Sequence, residues 1–304
     1  MQQPTSPPDR RWSSAAAWLA TGSQGQPPDL AVLGVPAHAS SLSGSGAHKT
    51  PAAVRQAMQT LSTWSGSKKV DVGSLRALDL GNVDDPDLKA EGEWRIRIAC
   101  ESAATLARLV VLVGGDNSFI DSAAAGVLGE VAAGGLVVLD VRHDIQEGRA
   151  NASSVRRLLD AGMPGERIVQ VGTADWADSR SYADEAYARG IHPMHRDEVA
   201  DRGISDCMAE ALGIAGHGGR PVFVALDLNV CDRAVAPACR GSLPGGLSAR
   251  ELLAAAYLAG ASPAVRAVAI TEVDAAADPT GSTVKLAAMC LLHAAAGLAH
   301  RPVR

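Results

Sequence analysis

Aromatic side chains are scarce in this sequence: they make up 3% of 304 residues, although 47% of the chain is hydrophobic. A core of this kind rests on Val, Leu, Ile and Ala, the composition of helices packed on a parallel sheet. Basic residues are not in excess either. The net charge of -5 at pH 7 leaves no basic face overall and argues against nucleic acid as a partner. Five cysteines (Cys100, Cys207, Cys231, Cys239, Cys290) form no C-x-x-C pair and are odd in number. That excludes a disulfide framework and predicts reduced thiols in the cytoplasm. No apolar run reaches the roughly 18 residues of a membrane span, so no membrane contact is expected. The segment MQQPTSPPDRRWSS lacks the apolar centre of a signal peptide. Residues 1–28, rich in Pro, Gln and Ser, are expected to form a flexible tail before a single domain over residues 29–304.

Within that domain, short apolar runs alternate with longer helical stretches. The runs are Leu30–Pro36, Arg76–Val83, Leu109–Asp116, Gly135–Val141, Arg167–Thr173, Ile191–His195, Pro221–Val230 and Val265–Asp274. Most are unbroken, as expected of strands covered on both faces. Helices are expected over Pro51–Thr63, Glu91–Arg108, Ser153–Asp160, Arg180–Arg189, Ser205–Ile214, Ser248–Ala259 and Ser282–His300. Ser248 followed by Glu251 makes a capping box. The alternation predicts an α/β, three-layer, doubly wound domain on a mostly parallel sheet of about eight strands. Such sheets bind ligands beyond the carboxyl ends of their strands.

Four of those ends are polar, and mostly acidic: GGDNS (114–118), DVRHD (140–144), DLNVCD (227–232) and TEVD (271–274). Carboxylates converging from separate strands repel unless a cation or protons compensate them. The second motif sits in LDVRHDIQEG, where an arginine, Arg142, lies between two candidate metal-binding aspartates.

These four motifs, in this order, resemble those of the ureohydrolase superfamily: arginases, agmatinases and formimidoylglutamases. Its members carry GGDHS, DAHxD, SxDxDxxD and a later EV segment. GVP (Gly34–Pro36) and GAHKTPAAVR (Gly46–Arg55) extend the resemblance, and DVRHDIQEGRANASSVRRLL brings it nearest to formimidoylglutamase. The resemblance implies an arginase-like fold and hydrolysis of linear amidine or guanidino C–N bonds by water activated between two manganese ions. Six ligand positions carry over. Asn117 stands where the GGDHS histidine binds the first ion, Asp140 and Asp227 match the carboxylates that touch both ions, and Asp144 matches a further ligand of the first. Arg142 and Asn229 stand where the second ion would have a histidine and an aspartate.

A guanidinium is all donor and stays protonated, so it cannot bind a metal. Three aspartates against one arginine leave room for a single divalent ion. The expectation is one manganese ion per chain at most, or none, with Arg142 in the second ion's place and paired with Asp227 or Asp140. Asp140, Asp144, Asp227 and Glu272 are the expected catalytic set. Glu272 would pair with the substrate's amidine, while Asn151 and Arg156 would face its distal end. Two readings follow: an amidinohydrolase with a reduced metal centre acting on a small amidine or guanidino compound, or a ligand- or partner-binding pseudoenzyme. Metal-independent chemistry using Arg142 and the aspartates is a third. By resemblance the protein is a homo-oligomer, a trimer or a hexamer.

Overall fold

The computed structural model describes residues 12–22, 25–42, 44–148 and 150–302. Eight strands form one parallel sheet: β1 (Leu30–Val35), β4 (Ala77–Asn82), β5 (Leu109–Gly114), β6 (Gly135–Leu139), β7 (Ile168–Thr173), β8 (His192–His195), β9 (Val222–Asp227) and β10 (Val265–Thr271). Their order across the sheet is β4-β1-β5-β10-β9-β6-β7-β8. Every neighbouring pair is parallel. A two-stranded antiparallel ribbon, β2 (Trp64–Ser65) with β3 (Val70–Asp71), lies outside the sheet. The eight expected strands are all present.

Among the described residues ten α-helices accompany them: α1 (Ala15–Thr21), α2 (Thr50–Ala57), α3 (Lys89–Leu106), α4 (Ile120–Leu128), α5 (Ser154–Asp160), α6 (Arg180–Ala188), α7 (Arg196–Arg202), α8 (Ile204–Ala215), α9 (Ala249–Ala261) and α10 (Ser282–Ala299). The strands send alternate side chains to opposite faces. Val32, Val111 and Val224 join one core with α2, α8, α9 and α10. Ala31, Val110 and Phe223 join a second core with α3, α4 and α5. The result is the three-layer arrangement expected. The capping box at α9 is also present: the Ser248 hydroxyl accepts from the Glu251 amide, and Glu251 accepts from the Ser248 amide.

Small residues let α9 and α10 approach closely, which explains how a core with few aromatics is filled. A side chain at Gly260 would collide with the backbone of Ala294, and one at Gly297 with that of Tyr257. Helix α10 is 18 residues long with mean hydropathy 1.4, so by length and composition it does match a membrane span. Two-thirds of it is buried inside the protein, where it packs on α9 and the sheet.

The expected tail needs correction where it can be checked. Ser14 caps α1, and this helix buries Trp18 and Leu19 in the core. The Trp18 indole N–H donates to the Leu75 carbonyl at 2.9 Å. The apolar run AAAWLA outweighs the Pro- and Ser-rich composition around it. Residues 1–11 and 23–24 lie outside the described residues. Replacing Trp18 by Ala should therefore cost about 3 kcal/mol in urea unfolding, the usual loss for a buried tryptophan. An unchanged midpoint would mean that the helix is not docked.

Candidate active site

The four motifs end adjacent strands at the centre of the sheet, in the order β5, β10, β9, β6. One local device shapes each end. Asp116, Asp140, Asp227 and Asp274 each accept a hydrogen bond from the amide two residues on: Ser118, Arg142, Asn229 and Ala276 respectively. Aspartate readily turns a chain this way, because its short side chain reaches the backbone just ahead. Three of these turns open a short 3-10 helix. At β5 the turn also needs glycine, since a side chain on Gly115 would overlap the Ala37 carbonyl.

These turns bring three carboxylates onto one amide. The Asn117 side-chain nitrogen, Nδ2, lies 2.7 Å from Asp227 Oδ2 and 3.3 Å from both Asp140 Oδ2 and Asp144 Oδ2. An amide nitrogen carries only two hydrogens, so three acceptors exceed what it can satisfy. Its own oxygen, Oδ1, is buried without a partner. Asp140, Asp144 and Asp227 are all buried. Burial raises each of their pKa values, and for Asp144 and Asp227 the charges of Asp140 and Glu272 raise them further.

Glu272 completes the group. Its Oε1 accepts from the Asn117 backbone amide at 2.8 Å and from Asn151 Nδ2 at 3.0 Å. Burial, then the charge of Asp116, push its pKa up to about 7. Asp144 and Glu272 both have left-handed backbones, with φ of 50° and 66°. That conformation is strained for a non-glycine residue and tends to concentrate at functional sites. Asn117, Arg142, Asp144, Asn151, Asp227 and Glu272 line one cavity of about 260 Å³.

The arginase family model matches residues 28–297. The chain belongs to the arginase family. Formimidoylglutamase of Bacillus subtilis (strain 168) is 31% identical over 286 residues, covering 90% of this chain and 88% of the relative. The crystal structure of that formimidoylglutamase superposes with a TM-score of 0.91 at 28% identity, covering 98% of this chain and 96% of the other. A Trypanosoma cruzi formiminoglutamase structure with Mn2+ has a TM-score of 0.87 at 21% identity, covering 96% of this chain and all of the other, and shares the fold.

The donors divide into two unequal sets when compared with the metal positions of the arginase family. The first set fits a divalent ion: three carboxylates converge on one point, and an unpartnered amide oxygen is buried beside them. In the structure the Asn117 NH2 group holds that point. Among the described residues no group of three or more His, Cys, Asp or Glu side chains is placed so that it could hold a metal ion without moving.

The second set does not fit. Asn229 Nδ2 donates to Asp227 Oδ2 at 2.6 Å, and Asn229 Oδ1 accepts from the Val141 amide at 3.2 Å. Both ends of this amide are used, the nitrogen within the turn after β9 and the oxygen in tying that turn to the segment after β6. Arg142 lines the cavity but, among the described residues, makes no ion pair within 4.0 Å. The expected pairing with Asp227 or Asp140 is therefore corrected. Amides have taken the Asp227 carboxylate, and the Arg142 backbone N–H, not its guanidinium, has taken Asp140 Oδ1.

The remaining expectations divide. Asn151 is in the cavity wall, bridging Glu272 to the Leu42 amide. Arg156 points elsewhere: its guanidinium donates to the Ile145 carbonyl and to both oxygens of Glu185, a tether between α5 and α6. His143 is buried against Gln170, away from the cavity lining. Cys231 and Cys239 are also buried, and burial pushes the Cys231 thiol up to about 12, so neither is an activated nucleophile. One charged lining residue has no signal in the motifs: Arg240, whose guanidinium holds the buried Asp274 at 3.2 Å.

The raised carboxylates set a sign for pH dependence without a cation. A folded-state pKa above the unfolded value of 3.8 gives stability that is complete below it and lost as pH rises through the folded value. In chelator, Asp144→Asn should melt above the unmutated protein, and the gap should widen as pH rises above the unfolded value of 3.8. A gap that shrinks with rising pH would contradict the burial argument.

Proposed function

We propose that this arginase-family chain hydrolyses the C–N bond of a small linear amidine, as a formimidoylglutamase-like enzyme using one manganese ion. The convergence of Asp140, Asp144 and Asp227 on one point, beside the unpartnered oxygen of Asn117, supports this reading most directly. Those three carboxylates would hold the ion, and Asn117 would offer Oδ1 after its amide turns over. When bound, such an ion lowers the pKa of the water it touches and makes it a nucleophile at neutral pH.

Glu272 receives the substrate's cationic head. Its Oε1 is fixed by Asn117 and Asn151, while among the described residues Oε2 carries no hydrogen bond. An amidinium N–H donated to Oε2 forms a charge-assisted bond. A carboxyl with pKa near 7 is also matched to carrying a proton to a departing amine. Manganese use is supported by the metal in the Trypanosoma cruzi relative. One ion rather than two is supported by the Arg142 guanidinium, which has no acceptor to offer, and by the Asn229 oxygen, which the Val141 amide already holds. The free, buried cysteines agree with work in the cytoplasm, and by resemblance the chain assembles as a trimer or hexamer. The alternative of a fold kept without hydrolysis has no separate observation in its favour.

The test is elemental analysis with hydrolysis assays on formimidoyl-glutamate, arginine, agmatine and 4-guanidinobutanoate. One manganese per chain and manganese-dependent release of product from at least one substrate are expected. Asp144→Ala should abolish both. Two tightly bound ions would overturn the one-ion centre, and no turnover with the ion loaded would overturn the hydrolase. Arg142→His with Asn229→Asp should raise the metal content above one per chain.

A further inference from the structure

The Arg142 guanidinium is the least explained charge in the cavity. Its neighbours Asp140 and Asp227 are already bound by the amides of Asn117 and Asn229. Among the described residues no hydrogen bond or ion pair to the Arg142 side chain is present, although its backbone amide is anchored on Asp140. Its nitrogens are not among the buried atoms that lack a partner, so they are open to solvent, and the residue lines the cavity. A guanidinium offers five N–H donors in a rigid plane that matches a carboxylate in a two-point contact.

Arg240 lines the same cavity. Its Nε and one terminal nitrogen engage Asp274 Oδ2, while the other terminal nitrogen is free of bonds among the described residues. The cavity thus carries acidic groups (Asp144, Asp227, Glu272, and Asp274 in its pair with Arg240) together with two guanidinium groups, in about 260 Å³. That is the small end of the range for ligand cavities. A ligand that satisfies both kinds of wall needs a cationic amidine and an anionic group on one short skeleton.

We propose that Arg142 is a specificity-determining residue that grips a carboxylate of the substrate, so that the site takes amidino carboxylic acids and rejects amidino amines. The inference rests on the amidine-binding reading of this site, but not on turnover. Arg142 also acts on Asp140 through space. Its charge serves the aspartates at a distance while its donors serve the ligand.

Calorimetric titration separates this from the hydrolase reading, because it reads binding alone. The probes are guanidinoacetate and 4-guanidinobutanoate, with butylguanidine as the tail-free control and agmatine as the cationic-tailed one. At least one carboxylate probe should bind about tenfold or more tighter than butylguanidine, the worth of a charged two-point hydrogen bond. Agmatine should bind more weakly than butylguanidine. Arg142→Gln should bring the carboxylate probes to within about twofold of butylguanidine without weakening butylguanidine itself. Arg142→Lys, which keeps the charge without the fork, should fall between.

Agmatine binding as tightly as the acids would overturn the proposal. So would an Arg142→Gln variant that keeps the preference, loss of the preference only on Arg240→Gln, or no binding of any probe. A protein that shows the preference without hydrolysing anything would leave the proposal standing and sink the hydrolase reading instead.

Discussion

Burying like charges together is the constraint on which this site depends. Asp140, Asp144 and Asp227 arrive from two strand ends with almost no access to water, and an unpaired buried charge costs several kcal/mol. The Asn117 amide stands among them as a partial substitute for a cation. Two hydrogens cannot serve three carboxylates, so protons or a metal must make up the difference. The same shortage accounts for the raised pKa values, the buried Asn117 oxygen without a partner, and the fit of the first ion position.

The sheet exists, in functional terms, to hold this arrangement still. Four adjacent strands end side by side, and at or within three residues of each end an aspartate turns the chain by bonding the amide two residues ahead. Asp116 and Asp274 shape the turns and act on the site through others, Asp116 by its charge on Glu272 and Asp274 by holding Arg240. Asp140 and Asp227 serve the turns with one oxygen and the site with the other. One residue type thus does both local folding and chemistry, and the motifs sit where strand meets turn.

Much of this was legible in the sequence. All eight strands were, because a strand covered on both faces is an unbroken apolar run. Helix α4 was not: Ile120–Leu128 is buried nearly all round, so it shows no polar stripe. Helix α1 was hidden by its Pro- and Ser-rich surroundings. In the site, Asn117, Asp140, Asp144, Asn151, Asp227 and Glu272 do gather as expected. Arg156 misled because its partner, Glu185, is on another helix, and nothing nearby in sequence announces it. Arg142 was placed in the right cavity with the wrong partner, since the amides that displaced it come from distant strand ends. Arg240 lies in a loop whose path only the folded chain reveals.

The orientation of Asn117 closes this centre with the chain's own groups. Its NH2 group is seated among the three carboxylates, so the point on which they converge is already hydrogen-bonded. A cation at that point would exchange an internal donor for an internal acceptor, because the side chain would have to rotate to offer Oδ1. Its affinity would be lowered by whatever the amide already supplies.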